Sequence, residues 1–344
     1  MIEQRFRHGR RGASLRPFVV SAEIEHRGYS QPLERAITDF GADGPFARIP
    51  QKLKEHYGIE VPVSSARDIT QAHGQALLES QSLESEIPER PGVACVVAEL
   101  DGCMIPIVTP PESSADAPVD RRTRRQLDWR EARLALAHPL GSVTPVFGAT
   151  LGGVEQAGQH WAHCVIQAGA GTQTQIHCVG DGAHWIVEQM EQRFGTQGRY
   201  LIDFSHLRGY FSAAADVCAP LEKSAWLEQV QKLMKDHQPE AVLDALAPFL
   251  EREKPASGEA PVQACYRYIN NRPGQFDYRS ALEAGLPIGS GEVESGHRYV
   301  IQDRLKIAGA WWKQDNAEKM LALRVVRANN DWEAYWQNPR KKAA

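Results

Sequence analysis

The chain has no run of the ~18–20 uninterrupted apolar residues that a helical membrane span needs, so a membrane protein of that kind is excluded. The arginine-rich start, Met1 to Arg11, leads into no apolar segment, which argues against a secretory leader and for a cytoplasmic protein. Its six cysteines (Cys95, Cys103, Cys164, Cys178, Cys218 and Cys265) are scattered without a C-x-x-C pair. Neither a zinc ribbon nor a disulfide framework is indicated, and buried free thiols are expected. Internal repeats and low-complexity tracts are also absent, which argues against a repeat architecture. An excess of positive charge is lacking too: 39 Lys and Arg stand against 43 Asp and Glu, a net charge of −4, where phosphate binding normally asks for the opposite sign.

What is there is an ordinary globular composition, 42% hydrophobic and 24% charged, over 344 residues, enough for two or three packed units. Positive residues cluster locally, at Arg5, Arg7, Arg10 and Arg11, at Arg121, Arg122, Arg124 and Arg125, and at Arg304, Lys306, Lys313, Arg324 and Arg327. Such clusters bind nucleic acid if the fold gathers them, and are otherwise a solvated surface.

After a basic tail, 1–31, the spacing predicts a helical unit over 32–82, with Leu33, Ala36 and Ile37, then Phe46, Ile49 and Leu53, then Ala66, Ile69 and Ala72 on apolar faces. Gly58 ends the second helix, and Ser64 or Ser65 can cap the third. The layout is compatible with a helix-turn-helix offering Arg67, Gln71 and His73 to DNA.

A core over 92–204 follows. Val93 to Leu100 reads as a strand entering an Asp101-Gly102 turn, with Cys103 to Val108 as its hairpin partner. Strands are expected at Trp129–Ala137, Val146–Leu151, Thr174–Val179 and Tyr200–Asp203, and helices at Gly153–Gly169 and Trp185–Phe194. Strands first, then helix, strand, helix, strand is the order of an RNase H-like α/β domain, a mixed sheet flanked by helices. An all-helical insertion over 205–285 and C-terminal helices over 286–336, a long amphipathic run broken near Gly309, complete the chain.

Asp101 and Asp181 each stand at or just past an expected strand end and before a glycine, while Glu294 opens a helix. Carboxylates are hard oxygen ligands suited to Mg²⁺, and two such ions can activate the attacking oxygen and stabilise the leaving one in phosphoryl transfer. The plain alternative is Asp-Gly turn chemistry and a capped helix start. Glu99, on the strand face of Asp101, and Glu292, two residues before Glu294, are rival acids that spacing leaves open.

Four segments carry a resemblance: Asp101-Gly-Cys-Met-Ile-Pro-Ile107, Gly180-Asp-Gly-Ala-His-Trp-Ile186, Leu201-Ile-Asp-Phe-Ser-His206 and Leu286-Pro-Ile-Gly-Ser-Gly-Glu-Val-Glu-Ser295. With Asn270-Asn-Arg272, Arg304-Leu-Lys306 and Trp332-Glu-Ala-Tyr-Trp336 they resemble the ISKra group of bacterial insertion-sequence transposases, related in layout to Mutator-like enzymes, over Pro32 to Trp336. That resemblance implies an RNase H-like fold with a helical insertion before the last acid. It also implies DDE-type DNA cleavage and strand transfer, with Asp101, Asp181 and Glu294 as the metal-binding triad for Mg²⁺, Mn²⁺ substituting. Asp203 and His206 match a supporting D-x-x-H pair.

The implied partners are DNA, both element ends and target, and a second copy of the chain on that DNA, with nucleoid association when bound and no membrane. Arg298, Arg304 and Lys306, on the helix after Glu294, would meet phosphates beside Arg67 of the N-terminal unit. Trp311, Trp312, Trp332 and Trp336 read as packing residues rather than base-stacking ones. Two departures from the family pattern stand out: Cys103 where threonine is usual, and Gly296-His297-Arg298 where a small residue, cysteine and lysine are usual. Neither removes a carboxylate; the short basic N-terminal region motivates an alternative, a catalytically inactive or truncated transposase-derived DNA-binding protein.

Overall fold

The computed structural model describes residues 6–7, 14–21, 28–109, 126–251 and 260–337. The chain divides into two compact units, one of Leu83–Cys103 and Glu131–His297, the other of Met1–Ser82, Met104–Arg130 and Arg298–Ala344. No helix among the described residues is long and apolar enough to cross a membrane.

The first unit is α/β. Its sheet uses β1 (Cys95–Thr109), β2 (Gln126–Pro139), β3 (Val146–Thr150), β4 (Gln175–Gly180) and β5 (Gly198–Ile202), in the order β3-β2-β1-β4-β5, the far halves of β1 and β2 counting with the second unit. β2 pairs antiparallel with β3, whereas β1–β4 and β4–β5 are parallel. Leu140 N–H donates to the Cys95 carbonyl at 3.0 Å and Gly102 lies against Glu131, so β1 and β2 also run in opposite directions. A parallel neighbour needs a crossover, and the helices Val154–Gln167 and His184–Phe194 supply them. Their apolar stripes, with Trp161 edge-on to Phe194 at 5.1 Å, pack with Val96, Ala98 and Leu100 of β1 and Ile176 and Cys178 of β4 in one core. The helices Phe204–Cys218, Lys223–Lys235, Pro239–Leu246 and Pro261–Asn270 continue it through Val230 and Met234, Val242 and Leu246, and Val262 and Cys265, pairs at helical spacing.

One strand departs from its sequence reading. Asp101-Gly102 is no turn: β1 runs unbroken from Cys95 to Thr109, so residues 103–108 are its continuation and not a hairpin partner. Glycine at 102 answers a different need, because a Cβ there would stand 2.5 Å from Glu131 Oε1 on β2.

The second unit holds the expected three helices, Gln31–Asp43, Ile49–Tyr57 and Val63–Ser80, around Ile37, Ile49, Leu53, Val61, Ala66 and Ile69. Gly58, at φ +65°, closes the second of them in a left-handed cap. The helix Gln314–Ala328 packs on Val63–Ser80 so closely that a Cβ on Gly74 would lie 2.5 Å from the Lys319 carbonyl oxygen. Residues 298–337 thus group with the N-terminal helices, not with the sheet as expected for 286–336. The long run after Glu292 is also divided, into Gly291–Gly296, a π-helical stretch His297–Gln302, Asp303–Leu305 and Gln314–Ala328.

Packing consumes two residues that the sequence offered to DNA. His73 is buried, its Nδ1 2.7 Å from the Tyr335 hydroxyl and its Nε2 3.2 Å from Glu34. Arg304 is buried as well and does not reach solvent as a phosphate contact would. It is 2% exposed, donates from Nε to the Gly41 carbonyl at 2.9 Å, and has its guanidinium 4.8 Å from the Phe46 ring and 4.7 Å from the Trp312 ring. Arg324 is likewise buried and bonded to Asp43, and Arg327 to Asp39. Trp312 and Trp336 are buried as packing residues, while Trp311 is half-exposed.

Candidate functional site

Strand register brings three carboxylates to one level. Glu99 pairs with Val179 and Gly180 with Ile202, so two residues past the first pair and one past the second Asp101, Asp181 and Asp203 stand abreast across three parallel strands. The carboxyl ends of parallel strands are where open α/β sheets bind ligands. Glu294, from the short helix Gly291–Gly296, joins them in a cleft of about 890 Å³ that His206 and Ser290 also line. The structure therefore brings together all five expected site residues of this unit. Among the described residues, no three His, Cys, Asp or Glu side chains form a ready-made metal cluster.

Each acid is held differently. Asp203 is buried and saturated: Oδ1 accepts from the Ser205 and His206 N–H groups, capping the helix Phe204–Cys218, and Oδ2 accepts from the Ser290 N–H at 3.0 Å and from its hydroxyl. It ties the end of β5 to the segment carrying Glu294.

Asp181 sits in a clamped loop. Its Oδ1 accepts from Ala183 N–H at 2.8 Å, its carbonyl accepts from the Tyr268 hydroxyl at 2.6 Å, and Gly182 donates to the Tyr200 hydroxyl at 3.0 Å. Arg272 closes the clamp, donating from Nε to the Gly182 carbonyl at 2.9 Å. Tyr200 and Tyr268 gave no signal in the sequence, and Arg272 only as part of a short motif. Gly182 is fixed by this arrangement, since φ is +78° and a Cβ would meet Arg272 Nε at 2.9 Å. Gly182→Ala is expected to cost about 1–2 kcal/mol in urea denaturation. An unchanged midpoint would show that the clamp yields.

Asp101 accepts from His297 Nε2 at 3.1 Å. Burial alone would lower the imidazole pKa, but the hydrogen bond to Asp101 and the neighbouring Cys103 and Asp101 side chains outweigh it and lift it to about 9. The contribution to stability is full below about 6.5, the ordinary histidine value, and is lost as pH rises through about 9. Cys103 and His297 thus meet beside one candidate ligand.

The rival acids point elsewhere. Glu292 lies 3.0 Å from His138 Nε2, and the buried Glu99 accepts the Val293 N–H at 2.7 Å under the start of the helix. Burial, opposed by that N–H and reinforced by the charges of Glu292, Asp203 and Glu294, pushes the Glu99 pKa up to about 8. The folded protein keeps this proton after the unfolded chain has released it, so stability falls from about pH 4.5 to about 8. Glu99→Gln keeps an acceptor without the charge. Its Tm is expected to exceed that of the parent by on the order of 5 °C at pH 8 and to converge with it near pH 4. Equal Tm at both pH values would refute the protonation of Glu99.

The remaining DNA-contact expectations lie in the second unit. Arg67, Arg298 and Lys306 are exposed there, Arg67 paired with Asp68 at 2.9 Å. Of the basic clusters, Arg5, Arg10 and Arg11 and Arg121 to Arg125 lie outside the described residues.

No curated protein matches the chain. A family profile, described as Uncharacterised protein family (UPF0236), matches residues 167–338, half of the chain, and takes in Asp181, Asp203, His206, the Arg272 clamp and Glu294. By that match the chain is a member of UPF0236.

Proposed function

We propose that the protein is a DDE-type transposase, cutting DNA at insertion-sequence ends with divalent metal and joining the freed ends to target DNA. The observation that carries the reading is the convergence of Asp101, Asp181 and Glu294, from three separate elements, on one cleft at the carboxyl ends of parallel strands. The finer fold assignment, RNase H-like, is supported by the sheet order, by the antiparallel β1-β2-β3 followed by parallel β4 and β5, and by a helical module before the last acid.

The donor chemistry fits the ion: three carboxylates offer hard oxygens suited to Mg²⁺ or Mn²⁺. Asp101, Asp181 and Glu294 would hold it. When bound, such ions activate the attacking oxygen and stabilise the leaving one. The chain's own part is positioning. Asp203 fixes Ser290 and with it the approach of Glu294, while Tyr200, Tyr268 and Arg272 fix Asp181. Exposed Arg67, Arg298 and Lys306 are the candidate phosphate contacts, and a second copy of the chain would pair the two element ends.

One observation favours a second reading, DNA binding without catalysis: the candidate ligand Asp101 is already hydrogen-bonded to His297 where the resemblance has cysteine. A single experiment separates the two. Duplex DNA bearing the inverted repeats that flank the gene is incubated with the full chain and Mg²⁺ or Mn²⁺. Strand cleavage and end joining are expected. Salt-sensitive binding without products from either ion would leave the second reading.

A further inference from the structure

The cleft extends well beyond the acids. Away from Asp101, Asp181 and Glu294 its walls are Gly209, Tyr210 and Ala213 of the helix Phe204–Cys218 and Ala260, Pro261 and Ala264 at the start of Pro261–Asn270. The small residues account for the room. Tyr210 stacks on Tyr268 at 4.2 Å and 19°, and His206 stands edge-on to Tyr210 at 5.6 Å. Tyr268 is held in turn by its bond to the Asp181 carbonyl and by the Arg272 guanidinium, 4.2 Å from its ring. Tyr210 is therefore the face of a backed aromatic platform.

Among the described residues lining the cleft there is no lysine or arginine. A sugar-phosphate backbone drawn along these described walls would meet carboxylates and methyl groups with no lysine or arginine among them to offset it, and phosphate binding depends on such cations. A neutral, planar group suits the same walls. It would bury apolar faces against alanines and stack on Tyr210, a contact that tolerates any base.

We propose that this end of the cleft receives one unpaired nucleobase of the DNA strand, stacked on the Tyr210–Tyr268 platform, with the neighbouring phosphate reaching the acids. The inference rests on the DNA reading of the site and names what that site takes beyond a phosphate. A base inside a duplex cannot enter, so the strand is engaged with at least one nucleotide turned out of the stack.

The test is fluorescence anisotropy on the full chain, with Ca²⁺ replacing Mg²⁺, using a labelled eight-residue thymidine strand and an abasic strand of the same length and charge. The parent protein is expected to bind the thymidine strand about tenfold tighter. Tyr210→Ala and Ala213→Leu, the second filling the cleft from an exposed helix position, erase that preference, and Tyr210→Phe restores it. Should Tyr210→Ala fail to fold, Ala213→Leu decides. Equal affinity of the parent protein for both strands overturns the proposal, as does a preference that survives in Ala213→Leu. A protein that prefers bases yet never cuts element-end DNA keeps the pocket and loses the catalytic reading. One that cuts without a preference loses the pocket alone.

Discussion

Asp181→Asn and Glu294→Gln are each expected to lower metal-dependent strand cleavage by about 10³-fold or more, while Glu292→Gln stays within about twofold of the parent. Both damaging changes preserve shape and remove one anionic oxygen from the cleft. An ion that neutralises transition-state charge contributes several kcal/mol, and its loss converts to a factor of that size. Glu292 is the internal control: two residues from Glu294 on the same short helix, it lies against His138 and is absent from the cleft lining. Asp101→Asn is a poorer probe, because it also removes the negative charge beside His297 and mixes stability with activity. The measurement is single-turnover cleavage of end-labelled DNA, with circular dichroism to verify folding. Equal losses for Glu292→Gln and Glu294→Gln would remove the assignment of the third acid, and full activity of Asp181→Asn would remove the metal site.

The parts of this site that the sequence exposes are those governed by local periodicity. Val93 to Leu100 and Thr174 to Val179 read as strands from their apolar, β-branched runs, and the register of two such strands then sets Asp101 level with Asp181. The rest depends on partners far along the chain. Gly102 reads as a turn until Glu131 is seen across the sheet, and Glu99 and Asp101 share a strand face until Val293 N–H claims the first. In the clamp, Tyr268 lies 87 positions from Asp181 and Arg272 lies 90 from Gly182, beyond any local pattern. Charge misleads most. Arginines 304, 324 and 327 look like a basic surface beside Glu294, yet two are buried and all three bond to carbonyls or carboxylates of the helix Gln31–Asp43.

Arg304→Ala is expected to destabilise the protein by about 3–5 kcal/mol and Arg304→Met by no more than about 1–2 kcal/mol. The alanine variant leaves a hole between Phe46 and Trp312 and frees the Gly41 carbonyl from its buried donor. Methionine loses that hydrogen bond but refills most of the space. It also removes a charge whose burial already pulls the guanidinium pKa down to about 10, with Arg324 adding to the effect and Asp43 opposing it. Arg304 Nη2 has no hydrogen-bond partner, so the charge is imperfectly offset as it stands. Urea denaturation at pH 7 ranks the variants, and DNA binding across a salt series reports whether phosphate is involved. Since Arg304 is 2% exposed, the salt slope of Arg304→Met is expected to equal that of the parent. A slope smaller by about one in a fully stable Arg304→Met protein would make Arg304 a phosphate contact and overturn its packing role.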